Sequence, residues 1–117
     1  MDDNWGRFRD AAMVMAGQGP IKQRLIHACR QHLTDIEPEE LPHEVRADFD
    51  RLHSAISSAR AAGVRDQIEA SILKMSESEA GRHGVSIVMM FAALSSRQLR
   101  THAVRAAPPL RAVSGED

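Results

Sequence analysis

Apolar residues recur along this chain at helical intervals, and the breaks between the runs mark where elements end. Trp5, Phe8, Ala12 and Met15 follow at spacings of 3, 4 and 3, which places them on one face of a first helix. Gly17 and Gly19 end that run, and Pro20 suits the first position of the next helix. Ile21, Leu25, Cys29, Leu33 and Ile36 form its stripe, with Lys22, Arg24, Arg30 and Gln31 on the other side. A linker from Asp35 to Glu40 contains Pro38, and Pro42 suits the first turn of a third helix. Val45, Phe49, Leu52, Ile56 and Ala59 form the third stripe, and Gly63 is expected to stop that helix. Val64, Ile68, Ile72 and Met75 define a short fourth element. Ser76 with Glu79 three positions on is a capping box, so a fifth helix starts there and is expected to run to about Val104.

The middle of the fifth helix departs from a stripe. Val85, Ile87, Val88, Met89, Met90, Phe91, Ala92 and Leu94 surround its axis. A helix apolar on every side is normally buried on every side. Two readings remain open: a central helix wrapped by the other four, or a helix with one side in the core and the other against a partner. A bundle of this size has difficulty covering one helix completely, and adjacent methionines suit an adaptable contact surface. The second reading places an interface at Met89, Met90, Phe91 and Leu94. Gly81 and Gly84 inside the helix point to close helix packing or to a kink.

The sum of these elements is an all-α fold, a compact four- to five-helix bundle with a long C-terminal helix. A length of 117 residues fits a single domain, read as residues 1–106, with a mobile tail over 107–117 that carries Pro108 and Pro109. Hydrophobic residues make up 43% of the chain, which is enough for a core. The aromatics are three Phe and one Trp with no Tyr, too few for an aromatic sandwich core or a base-stacking sheet. The first residues are acidic and no apolar run reaches bilayer length, so neither signal peptide nor membrane span is expected and the location is read as cytoplasmic. The one cysteine, Cys29, fits a reducing compartment and reads as a small core residue.

The net charge of −1 conceals a split. From Asp35 to Asp50 there are seven acidic residues against Arg46 alone. From Ala80 to Gly115 there is no acidic residue, but there are Arg82, Arg97, Arg100, Arg105 and Arg111. One consequence would be mutual attraction between the acidic segment of one subunit and the basic arm of another. Another would be phosphate contact by Arg97, Arg100 and Arg105 in a nucleic-acid-binding regulator.

Chemistry of other kinds finds little support. The six histidines never pair at ligand spacing, and no metal or other cofactor is expected. Glu40 and His43 are separated by Pro42 and have no second copy, while Glu79 and His83 read as a surface pair. No Gly-rich nucleotide loop and no nucleophile signature is present, and no small-molecule substrate is evident, so an enzyme is not expected. The expected function is a small helical protein-interaction module, a regulator or adaptor whose partner is a protein, with self-association into a homodimer through the C-terminal helix.

Two resemblances accompany this reading. His53, Ser58 and Gly63 resemble the motif of histidine phosphotransfer domains, which implies a four-helix bundle with an exposed phospho-accepting His53. The chain has Ile56 where that family carries Lys, and Ser57 where it carries Gly. The second covers Leu41 to Leu52, then Ile68, Ile72 and Met75 to Ala80, and is similar to a pattern in small uncharacterised all-helical bacterial proteins. It implies a helical bundle and a bacterial source, and carries over no activity and no site residues.

Overall fold

The computed structural model describes the backbone of residues 3–106 and the side chains of residues 3–100. The tail expected over 107–117 lies outside the described residues. Within them the chain is all-α: α1 (Asn4–Met15), α2 (Ile21–His32), a short 3-10 turn (Pro38–Glu40), α3 (His43–Ile56), α4 (Val64–Leu73) and α5 (Glu77–Ala106). α1, α2 and α3 all pack on α5, whereas α4 packs on α2 and α3. Phe8, Leu25, Leu52, Ile72, Ile87 and Met90 are the largest of the side chains sealed where these helices meet. Burial of such a residue is worth about 1.5–3 kcal/mol.

The apolar stripes account for most of this arrangement. Phe8, Ala12 and Met15 face inward on α1, Leu25 and Cys29 on α2, and Val45, Phe49, Leu52 and Ile56 on α3. Phe8 meets Phe49 edge-on, with ring centroids 6.1 Å apart. The turn between α1 and α2 uses Gly19 at φ 107°, a backbone conformation that costs glycine nothing. Arg24 fastens that turn by donating to the carbonyls of Gly19 at 2.8 Å and Met15 at 2.6 Å. Lys22 likewise donates to the Leu73 carbonyl at the end of α4. Cations at helix C-termini answer carbonyls that lack an intrahelical partner.

Several boundaries differ from the expectation. Pro20 and Pro42 stand just before α2 and α3 as N-caps in extended conformation, not inside the helices. α3 ends at Ile56, well short of Gly63. Ser57 and Ser58 donate their hydroxyls to the carbonyls of His53 and Ala55, competing with continued helix. Ala59 remains buried, but as part of a loop bound to α4. Its amide donates to Ser71 Oγ at 2.9 Å, and its carbonyl accepts from Gln67 Nε2 at 3.0 Å. Gly63 is extended and caps the start of α4 instead of ending α3. Val64, expected on the inner face of α4, is exposed.

The start of α5 follows its sequence signal. Ser76 Oγ accepts from the Glu79 amide at 3.0 Å. The two internal glycines behave differently. A methyl group on Gly84 would come within 2.7 Å of Met15 Cε, so this glycine is where α1 lies close against α5. A methyl group on Gly81 would meet nothing within 4 Å.

Candidate functional site

α5 has two apolar faces, and the other described helices occupy one. Ala80, Ile87 and Leu94, seven residues apart, are buried together with Met90 and Gly84. Phe91 lies at the margin, half-buried, with its ring 5.9 Å from that of Trp5. The Trp5 indole N–H donates to Ser95 Oγ at 2.9 Å, which pins the start of α1 to α5.

The opposite face holds Val85, Val88, Met89, Ala92 and Leu99, all exposed, with Ser78, Gly81 and Ser96 between or beyond them. Val85 is 62% exposed, Met89 62% and Leu99 69%. From Val85 to Leu99 the apolar residues of this face span about 21 Å at the helical rise of about 1.5 Å per residue, with Ser96 among them. A contiguous apolar stripe on a surface is costly in water unless something covers it. Beside it, Asp48 of α3 and Ser78, Gly81, Arg82, Val85, Ser86 and Met89 of α5 line a groove of about 680 Å³. Asp48 is also ion-paired with Arg51.

The four residues expected to form an interface are therefore divided by the structure. Met89 faces outward, Phe91 lies at the edge, and Met90 and Leu94 sit in the chain's own core at 1% and 6% exposure. Residues that share the outer face with Met89, namely Val85, Val88, Ala92 and Leu99, were not singled out as an interface by the sequence argument. Val85, Ala92 and Leu99 repeat every seven residues just as Ala80, Ile87 and Leu94 do, so their spacing marks a second face but not which of the two is outer.

Charge sits at the two ends of this face. Glu77 and Glu79 occupy the first turn of α5, and Arg97 and Arg100 lie about 27–35 Å further along at about 1.5 Å per residue. Arg97 Nη1 is 3.9 Å from Glu44 Oε2, both groups half exposed, so acidic segment and basic arm touch within one chain here. An exposed pair at this distance is worth little. Arg100 Nη1 donates to Ser96 Oγ at 3.0 Å. The Arg105 side chain lies outside the described residues.

The remaining candidate groups are placed as follows. Burial pushes the Cys29 thiol up to about 12, which disfavours the thiolate needed for nucleophilic chemistry. His53 is exposed, with its ring 6.1 Å from Phe49, and α3 ends three residues beyond it. The helical span from His53 to Gly63 that the phosphotransfer resemblance implies is thus broken. His83 Nε2 is 3.8 Å from Glu79 Oε2, the expected surface pair. Among the described residues no three His, Cys, Asp or Glu side chains gather as a metal site would need. No described helix is long and apolar enough to cross a membrane. A second open depression, about 590 Å³, lies along α2 and includes Gln23, Arg24, His27, Arg30 and Gln31. Its two arginines are engaged, Arg24 by backbone carbonyls and Arg30 by Glu69 at 3.3 Å.

Comparison with family models, with curated proteins and with solved structures finds no match to this chain.

Proposed function

We propose that this chain is a small helical protein-interaction module, acting as a regulator or adaptor, that self-associates through the outer face of α5. The supporting observation is the exposed stripe Val85, Val88, Met89, Ala92 and Leu99 on the longest helix, directly opposite the face that builds the core. The interface is therefore reassigned: Met89 stays in it, Phe91 borders it, and Met90 and Leu94 belong to the core. A helix that gives one face to its own bundle and another to a partner is a common way to build a dimer from a small domain. The reading is of a cytoplasmic binding protein without a catalytic centre.

Light scattering coupled to size exclusion, over a wide range of protein concentration, tests it. The intact chain should be a dimer, and V85E/M89E should be a folded monomer with unchanged helical circular dichroism. A chain that stays monomeric at every concentration would overturn the reading. The alternative of phosphate binding by Arg97, Arg100 and Arg105 draws on the exposure of the first two. It requires duplex DNA to be retarded at low salt and released steeply as salt rises.

A further inference from the structure

We propose that two copies pair α5 against α5 in antiparallel orientation, in the register that sets Val88 of one copy level with the partner's Met89. This rests on the self-association just proposed and specifies its geometry. Three features of the outer face carry it.

The first is charge. The acidic residues of α5, Glu77 and Glu79, lie in its first turn, Arg82 follows and donates to Ser78 Oγ, and Arg97 and Arg100 flank Leu99 at the far end of the stripe. In this register Glu77 stands level with the partner's Arg100, and Glu79 lies within a residue of the partner's Arg97. A parallel pair would instead bring acid to acid at one end and arginine to arginine at the other. The helix dipoles favour the antiparallel arrangement as well.

The second is size. The same register sets Val85 against the partner's Ala92 and Ser78 against the partner's Leu99, a larger side chain facing a smaller one each time. Gly81 meets the partner's Ser96, two small residues that let the helices approach. Only at the centre do two larger residues meet, Val88 and the partner's Met89, where methionine can adapt. All eight positions lie on the outer face of one helix, seven exposed and Gly81 partly so among the described residues.

The third is Gly81. Glycine in a helix interior is unfavourable relative to alanine. Gly84 has a reason inside the chain, its contact with Met15, but no described residue lies within 4 Å of a methyl group added at Gly81. An approaching helix supplies what the chain's own packing does not. The pairing is two-fold and self-complementary, so it closes at a dimer and leaves no unfilled copy of the patch.

Disulfide trapping in the full chain tests this, since native Cys29 is buried and its thiol disfavours ionisation. The variants V88C, S78C and L99C replace exposed residues. Under a mild oxidant V88C, next to the two-fold axis, should cross-link to itself. S78C alone and L99C alone should not, because each lies about 30 Å from its own copy and a disulfide spans about 4 Å between Cβ atoms. An equimolar mixture of S78C and L99C should form the mixed disulfide. Efficient self-linking of S78C, or a dimer by light scattering whose S78C and L99C fail to join, overturns the orientation and register while leaving self-association intact. A monomeric chain overturns both.

Discussion

Met89 and Met90 are neighbours with the same side chain and opposite surroundings, which makes them a controlled test of how α5 is divided. Met90 is 1% exposed and belongs to the same buried cluster as Phe8, Leu25 and Ile87, whereas Met89 is 62% exposed. Truncating Met90 to alanine forfeits the transfer free energy of its buried atoms, about 1.5–3 kcal/mol for the whole side chain. It also leaves a void that helices anchored on both sides close only in part, which brings the expected cost into the range of about 2–5 kcal/mol. For a domain near 100 residues, each kcal/mol moves Tm by roughly 4–8 °C, so M90A should melt at least about 8 °C below the parent. M89A removes the same atoms from the surface and should stay within about 0.5 kcal/mol in a monomeric sample. Urea unfolding followed by circular dichroism at low and high protein concentration separates the two effects. M90A should lower the midpoint equally at both, while M89A should lower it only where the protein associates. Equal loss in the two variants at low concentration would refute the assignment of inner and outer faces.

Ser71 gives a second test: S71A strands the buried Ala59 amide that now donates to Ser71 Oγ at 2.9 Å, and should cost about 1–3 kcal/mol in urea unfolding. Cys29 gives a third. Its thiol is raised from 9.0 to about 12 in the folded chain, so its contribution to stability is fully present below pH 9 and is lost as pH rises toward 12. The unfolded chain releases the proton first in that window, and C29A should lack this component of the alkaline fall when both are unfolded in urea across it. The folded chain should also resist thiol alkylation at neutral pH until denaturant is added. Trp5 is the only tryptophan, so its fluorescence reports docking of α1 on α5; S95A should lose about 0.5–1.5 kcal/mol and shift that emission.

The stripes were enough to read the all-α class, the element order and the positions of most core residues. Phe8, Leu25, Phe49, Ile72 and their neighbours point inward because their spacing leaves one apolar face per helix. The end of α3 was not legible, because it depends on a contact made twelve residues later: Ser71 holds the Ala59 amide, and Ser57 and Ser58 return their hydroxyls to the helix. A glycine at 63 suggested a stop, but tertiary bonding acts before it. The faces of α5 were illegible for a different reason. Ala80–Ile87–Leu94 and Val85–Ala92–Leu99 have the same seven-residue period, and periodicity alone cannot say which set meets the chain's own helices. Trp5 stacking near Phe91 and Met15 lying on Gly84 decide it, and both arise from α1, some seventy to ninety residues away in the chain.

The open face of α5 follows from where α4 is held. Among the described helices, α4 is the one that does not pack substantially on α5. It is fastened to α2 and to the loop after α3 at three points: Lys22 on the Leu73 carbonyl, Arg30 on Glu69, and Ser71 on the Ala59 amide. Ile68 and Ile72 are buried in the same arrangement, so swinging α4 across would expose them in exchange for covering Val85 and Met89. That exchange brings no net apolar gain and loses the three polar anchors. Covering the outer face of α5 without such a loss takes a surface from outside the described helices. A second copy brings an apolar stripe of the same length and period, with the opposite charge at each end once it is turned around.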